Sequence, residues 1–216
     1  MRHAFYFCAI LVTTVLSTSA CAQYNTKGTV HVALGIAGGA HTTEYETTTH
    51  ILGIAVTDTE EDGAATFTVP IEGSYAFANA FSLGLYFEPG SYLDSSATES
   101  NALMLLGIQP RFYLVNSEHF AWMASLQLGM SALRIDRSEL GAESSARYAG
   151  GNFGISTGVG FLFSDHFGIQ VQARYMATNM PLKEYEVNGA SIALDDFDAV
   201  LRTRGVAMQA SATFKF

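Results

Sequence analysis

After residue 21 the chain has no cysteine at all: the 2 Cys of its 216 residues, Cys8 and Cys21, both lie in the N-terminal stretch. A chain beginning at Gln23 therefore holds no thiol and no disulfide, so its stability must come from backbone bonding and packing. Cationic residues are also few, 11 Lys+Arg against 20 Asp+Glu for a net charge of -9, and they form no cluster. Neutralising nucleic-acid phosphates needs clustered Lys and Arg, which argues against such a partner. Charged residues make up only 14% of the chain, against about 25% in soluble proteins, which implies that part of the surface does not face water. Long apolar runs are missing too. Beyond the N-terminus the longest spans 102–108 and is interrupted by Gly107, far short of the ~20 residues of a spanning helix.

What is present begins with an export signal over residues 1–22. Arg2 gives a positive start, 4–16 is apolar apart from two Thr, and Ala20-Cys21-Ala22 offers a small-x-small cleavage site before Gln23. The alternative makes Cys21 a lipidated first residue, since Thr18-Ser19-Ala20-Cys21 is similar to a lipoprotein box, although Thr18 stands where that pattern begins with Leu.

From residue 28 the apolar period is two, the signature of strands. Val30, Val32, Leu34 and Ile36 alternate with small or polar residues, and seven further segments repeat the pattern up to Phe216. Three short turns (78–80, 116–119 and 164–166) join strand pairs, and four long polar segments (about 40–63, 91–100, 135–149 and 177–201) separate them. Residues 23–216 read as one all-β domain, an eight-stranded antiparallel up-and-down barrel with short turns at one rim and long loops at the other. The large apolar residues of the eight segments number about three dozen, and an eight-stranded barrel has an interior just wide enough to be filled by side chains. They must point outward, into lipid, where closure of the sheet pairs every backbone group. A soluble barrel or sandwich with those residues inside is the rival reading.

The export signal, the eight alternating segments and the terminal Phe216, in register with Phe214 and Ala212, resemble the small outer-membrane β-barrels of the OmpA/OmpX type. The resemblance spans the mature chain and implies short periplasmic turns, long extracellular loops, residence in the bacterial outer membrane as a monomer without cofactor, and recognition of Phe214 and Phe216 by the barrel-assembly machinery. It also implies a role in adhesion-like contacts with host, matrix or neighbouring surface molecules, exerted through acidic loops.

On the inward register lie Glu72, Glu88, Arg111 and Arg174 with several Gln, expected to form an ion-paired plug that blocks conduction, because opposite charges in a narrow lumen are tolerable only when paired. The same groups would otherwise line a proton or solute path. Arg134 and Arg204 fall on the outward register at the long-loop ends of their strands, where outer-leaflet glycolipid phosphates are within reach of a guanidinium. Acidic residues crowd the first and fourth long segments, Glu44 to Asp62 and Asp195, Asp196 and Asp198, without the glycine and distal Glu of a Ca²⁺ loop, so no metal site is expected. An enzyme on outer-leaflet lipid is the functional alternative. His41, His50 and Asp94-Ser95 loosely resemble the His and Asp-Ser of palmitoyl-transferring barrels, but no flanking residues match and no nucleophile has a base in evident reach, so no catalytic residue is assigned.

Overall fold

The computed structural model describes residues 23–51, 54–94, 101–139, 142–194 and 197–216. Strands are β1 (Val30–Ile51), β2 (Ile54–Thr68), β3 (Ile71–Ala78), β4 (Phe81–Asp94), β5 (Asn101–Asn116), β6 (Phe120–Glu139), β7 (Ala142–Leu162), β8 (Phe167–Val187), β9 (Ala190–Ser191) and β10 (Phe197–Lys215). Neighbouring strands pair antiparallel, and β10 pairs with β1 from His31↔Lys215 to Thr49↔Phe197, which closes the ring. The last backbone rungs tie Phe216 to Val30 at both the nitrogen and the carbonyl.

The ring counts eight strands, because β2 and β3 are one strand interrupted at Val69-Pro70. Leu34↔Ile71 and Ala37↔Thr68 keep a single register across the gap. Pro70 has no N–H to donate, so the ladder skips a rung without slipping. β9 is a two-residue return that pairs with the end of β8. Its turn has Asn188 and Gly189 at positive φ (50 and 76), as a two-residue hairpin turn requires.

The paired register, followed once around the ring from Leu34 through Ile71, Phe87, Leu106, Met130, Gly151, Asn179 and Arg202, returns to β1 at Glu44, ten residues beyond its start. Eight strands with that stagger tilt by about 40° and enclose a cylinder of about 8 Å backbone radius. Leu85, Ile108, Leu128, Met130 and Ile155 project from its outer wall, with Met130 69% exposed, whereas the facing register is buried. An outer surface this apolar has its partner in hydrocarbon. At the short-turn rim the band ends in rings in contact, with Phe81 against Phe112, Phe120 against Phe161 and Phe167 against Phe214. Trp122 lies in the same zone and donates to Thr157, so the membrane interface at the short-turn rim carries an aromatic belt.

One expectation is corrected. The long segments are for the most part not loops: β1 and β2 stay paired up to Ile51↔Ile54, and β6 and β7 up to Glu139↔Ala142. Thr42, Thr43, Thr47, Thr48, Thr49, Thr57 and Thr59 favour extended backbone. Beyond the lipid the outer faces of these hairpins meet water instead of hydrocarbon, so the lipid-facing apolar period disappears while the strand continues. The N-terminal segment Gln23–Thr29 folds into the short-turn mouth, an arrangement that no local sequence pattern marks. Tyr24 and Asn25 are fully buried there.

Candidate functional site

Within the cylinder the side chains form three layers. The lowest is a cork made by the N-terminal segment. The Tyr24 amide donates to the Ser117 carbonyl at 2.6 Å, and the Asn25 side-chain amide donates to the carbonyls of Ala78 and Asn79. Lys215 Nζ donates to the Gln23 carbonyl at 2.6 Å. The cork thus uses backbone groups that the short turns leave unpaired. Tyr24 packs with Tyr113, Ala121, Met123 and Leu162, and its ring stacks on His31 at 5.4 Å.

The middle layer contains the four charges. Arg111 Nη2 lies 2.7 Å from Glu72 Oε2, and Arg174 grips Glu88 with both terminal nitrogens at 2.5 and 2.7 Å. All four are essentially removed from solvent, Glu88 at 0% and Arg174 at 5% exposure. Gln209 joins the pairs: its amide donates to Glu72 at 2.7 Å, and its carbonyl lies 3.5 Å from Arg174 Nη1. Arg111 also donates to Gln109, and Gln170 donates to Tyr24 and Thr213. Two cations and two anions bound into one amide network leave the layer neutral, the condition under which charge is tolerated at low dielectric. Above them Tyr86 crosses the bore to donate to Asn152 at 2.6 Å.

The upper layer is apolar. Leu103, Leu105, Leu133, Met176, Met180 and Leu201 cluster around Tyr86, Tyr92 and Tyr148. On this floor stands an outward-facing cup of about 970 Å³ whose wall is the ring of hairpin extensions. One side of the cup carries Glu60, Asp62 and Asp94 from β2 and β4; the opposite side carries Leu182, Tyr185, Val187, Ile192, Leu194 and Phe197 from β8 to β10. The Tyr148 hydroxyl donates to that of Tyr45 at 3.0 Å, and Thr43 and Tyr92 share a bond of 2.6 Å.

Arg134 and Arg204 point outward above the apolar band, and each already has a carboxylate of its own chain, Asp136 at 3.0 Å and Glu44 at 3.7 Å. Arg202, beside them on β10, bridges Glu44 and Glu46 at 2.7 and 2.9 Å. Phe214 sits in the aromatic belt, and Phe216 is 72% exposed at the rim. His41 lies inside the wall, not in a loop, with Nε2 2.8 Å from Thr66 Oγ1. Its Nδ1 meets no orienting carboxylate among the described residues, so the pair lacks the third member of a nucleophile-activating relay. His50 faces Asp198 at 3.8 Å, both exposed. Among the described residues no group of His, Cys, Asp or Glu has the geometry to hold a metal ion. The expected export signal over residues 1–22 with Cys21, and Ser95, Asp195 and Asp196, lie outside the described residues.

No family model and no curated protein matches the sequence. Solved structures do match the fold. The outer membrane protein OprG from Pseudomonas aeruginosa superposes with a TM-score of 0.59 at 11% identity, covering 89% of this chain and 97% of that one. The outer membrane protein AlkL, determined in DMPC lipid bilayers, superposes with a TM-score of 0.54 at 9% identity, covering 93% and 95%. The fold is that of these small bacterial outer-membrane β-barrels, a closed ring of eight antiparallel strands. Such barrels reside in the outer membrane, and the apolar outer wall of this chain fits that home.

Proposed function

We propose that this barrel is a non-catalytic surface-interaction protein: a lipid-anchored pedestal, shut to solutes, whose outer hairpins bind molecules outside the cell. The observation that carries the reading is the neutral network of Glu72, Arg111, Glu88 and Arg174 across the bore, capped by the Tyr86 and Leu133 layer and corked by Tyr24. With the bore occupied, the features left for function are the cup and the acidic hairpins around it. Closure of the ring on one chain leaves no strand edge for a second copy, which supports a monomer. Phe214 and Phe216, at the end of the closing strand, are the residues we assign to recognition by the assembly machinery. Arg134 and Arg204 stand at headgroup height, where a glycolipid phosphate would compete with Asp136 and Glu44 for them.

Two measurements on one preparation test this reading. Purified protein in a planar bilayer is expected to show no steady conductance, and lipid extracted from cells with and without the protein is expected to show the same acyl pattern by mass. Steady solute-sized conductance would replace the reading with a channel, and a changed acyl pattern with a lipid-modifying enzyme built around His41 and Thr66.

A further inference from the structure

We infer that the outer cup is a binding site for a small organic cation with an apolar body, of the quaternary-ammonium class bearing aromatic or alkyl arms. The inference rests on the reading of the barrel as closed, and it names the ligand class that the cup admits. Its volume of about 970 Å³ lies at the upper end of the range, roughly 300 to 1,000 Å³, typical of small-molecule sites. Polarity is divided across it. Glu60, Asp62 and Asp94 stand on one wall, Arg137 is the single cationic lining residue among the described residues, and the facing wall is aliphatic and aromatic. A confined space with low-dielectric walls focuses the field of its carboxylates, which raises the local concentration of cations and excludes anions.

Tyr45, Tyr92, Tyr148 and Tyr185 also line the cup, and tyrosine ring faces attract cations that have shed their water. An ammonium with apolar arms satisfies both walls at once: its charge lies toward Asp62 and Asp94 while its arms cover Tyr185, Leu182 and Phe197. A strongly hydrated inorganic cation gains nothing from the apolar wall, and a neutral apolar molecule gains nothing from the acidic one. The buried floor of Leu133, Tyr148, Met180 and Leu201 makes the cup a stopping point.

The test is calorimetric titration of the full mature chain in lipid nanodiscs with benzyltributylammonium, using benzenesulfonate as the anionic control and benzyl alcohol as the neutral one. Saturable binding is expected for the cation alone, weakened by about tenfold or more in Asp62→Asn/Asp94→Asn and in Tyr185→Ala. The double Asn variant should also lose most of the decline in affinity that wild type shows between roughly 0.1 and 1 M salt. Heat-modifiable gel migration checks that each variant is folded. Equal binding of cation and sulfonate, no binding of the cation, or undiminished binding by the folded variants overturns the inference while leaving a closed barrel in place. A steady current from the same preparation overturns the closed-barrel reading itself.

Discussion

Tyr86 on β4 donates its phenolic proton to Asn152 on β7, and the two residues are the ends of one continuous row of paired positions, Tyr86↔Gly107↔Gly129↔Asn152. The two glycines between them leave the wall bare where the ring passes, and a Cβ on either would meet the Tyr86 hydroxyl and the opposing backbone. These glycines are in strands because a large side chain crosses them. Gly129→Ala is expected to displace the phenol and destabilise the barrel by ~1 to 3 kcal/mol, read from the shift of the denaturant midpoint in lipid vesicles. Tyr86→Phe, which keeps the ring but leaves Asn152 short of a donor, should cost ~1 to 3 kcal/mol.

The cork predicts a split between two variants of Tyr24. Tyr24→Ala removes a ring packed on Tyr113, Met123 and Leu162 and is expected to cost ~3 to 5 kcal/mol, as loss of a buried aromatic does. Tyr24→Phe loses the bond from Gln170 and should cost ~1 kcal/mol. Equal unfolding midpoints for Tyr24→Ala and wild type would show that the N-terminal segment does not sit in the mouth.

Breaking one buried ion pair differs from removing it. Arg174→Met leaves the Glu88 carboxylate in the bore without its guanidinium and is expected to destabilise by ~3 to 5 kcal/mol. The double change Arg174→Met/Glu88→Leu removes both charges and should recover most of that loss. A double-substitution cycle on unfolding free energies measures the coupling, and additive costs would show that the two groups do not meet.

Depth in the membrane sets the cost of an outward cation. Ile108→Arg, in the middle of the apolar band, should cost ~2 to 4 kcal/mol, whereas an arginine at the height of Arg134 costs only ~0 to 1 kcal/mol. Equal penalties for Ile108→Arg and Ala132→Arg, measured by folding into vesicles, would contradict the placement of the band.

Deletion of Phe216 separates assembly from stability. The residue makes two backbone bonds to Val30 and its ring is exposed at the rim. Refolding in detergent should therefore proceed with a midpoint lowered by ~1 to 2 kcal/mol, while the amount of folded barrel in cells falls severalfold. Unchanged cellular levels would assign Phe216 to the aromatic belt alone.

The transmembrane part of the fold was legible in the sequence because one physical contrast governs it. Ile108 faces hydrocarbon and Gln109 faces the lumen, and that alternation marks the strand and its orientation together. The same parity placed Glu72, Glu88, Arg111 and Arg174 inside, since pairing is the only inexpensive state for charge there. Where the contrast ends, so did the legibility. Thr47, Thr48 and Thr49 continue β1 beyond the lipid, but with polar groups on both faces nothing periodic marks them, and the cup formed by such extensions was missed. Its tyrosines, Tyr45, Tyr148 and Tyr185, one in each of three polar segments, were the available signal, because a large ring inside an otherwise polar stretch fits a walled cavity better than a loop. The Tyr24 cork was hidden for another reason: its partners, Ser117, Asn79 and Gln170, are gathered from three distant strand ends, and no local pattern encodes them.

The orientation of alternate residues toward lipid or lumen is tested most directly by single cysteines placed in a chain of residues 23–216, which has no cysteine of its own. Substitution at Ala124, Ser125, Leu126, Gln127 and Leu128, each exposed to a small thiol-reactive, environment-sensitive fluorophore in vesicles, should give a strict alternation. Cysteines at 124, 126 and 128 should be labelled and quenched by brominated acyl chains, and those at 125 and 127 should be shielded. Quenching of the odd set with shielding of the even set would show that the apolar face points inward and that this chain does not stand in a membrane.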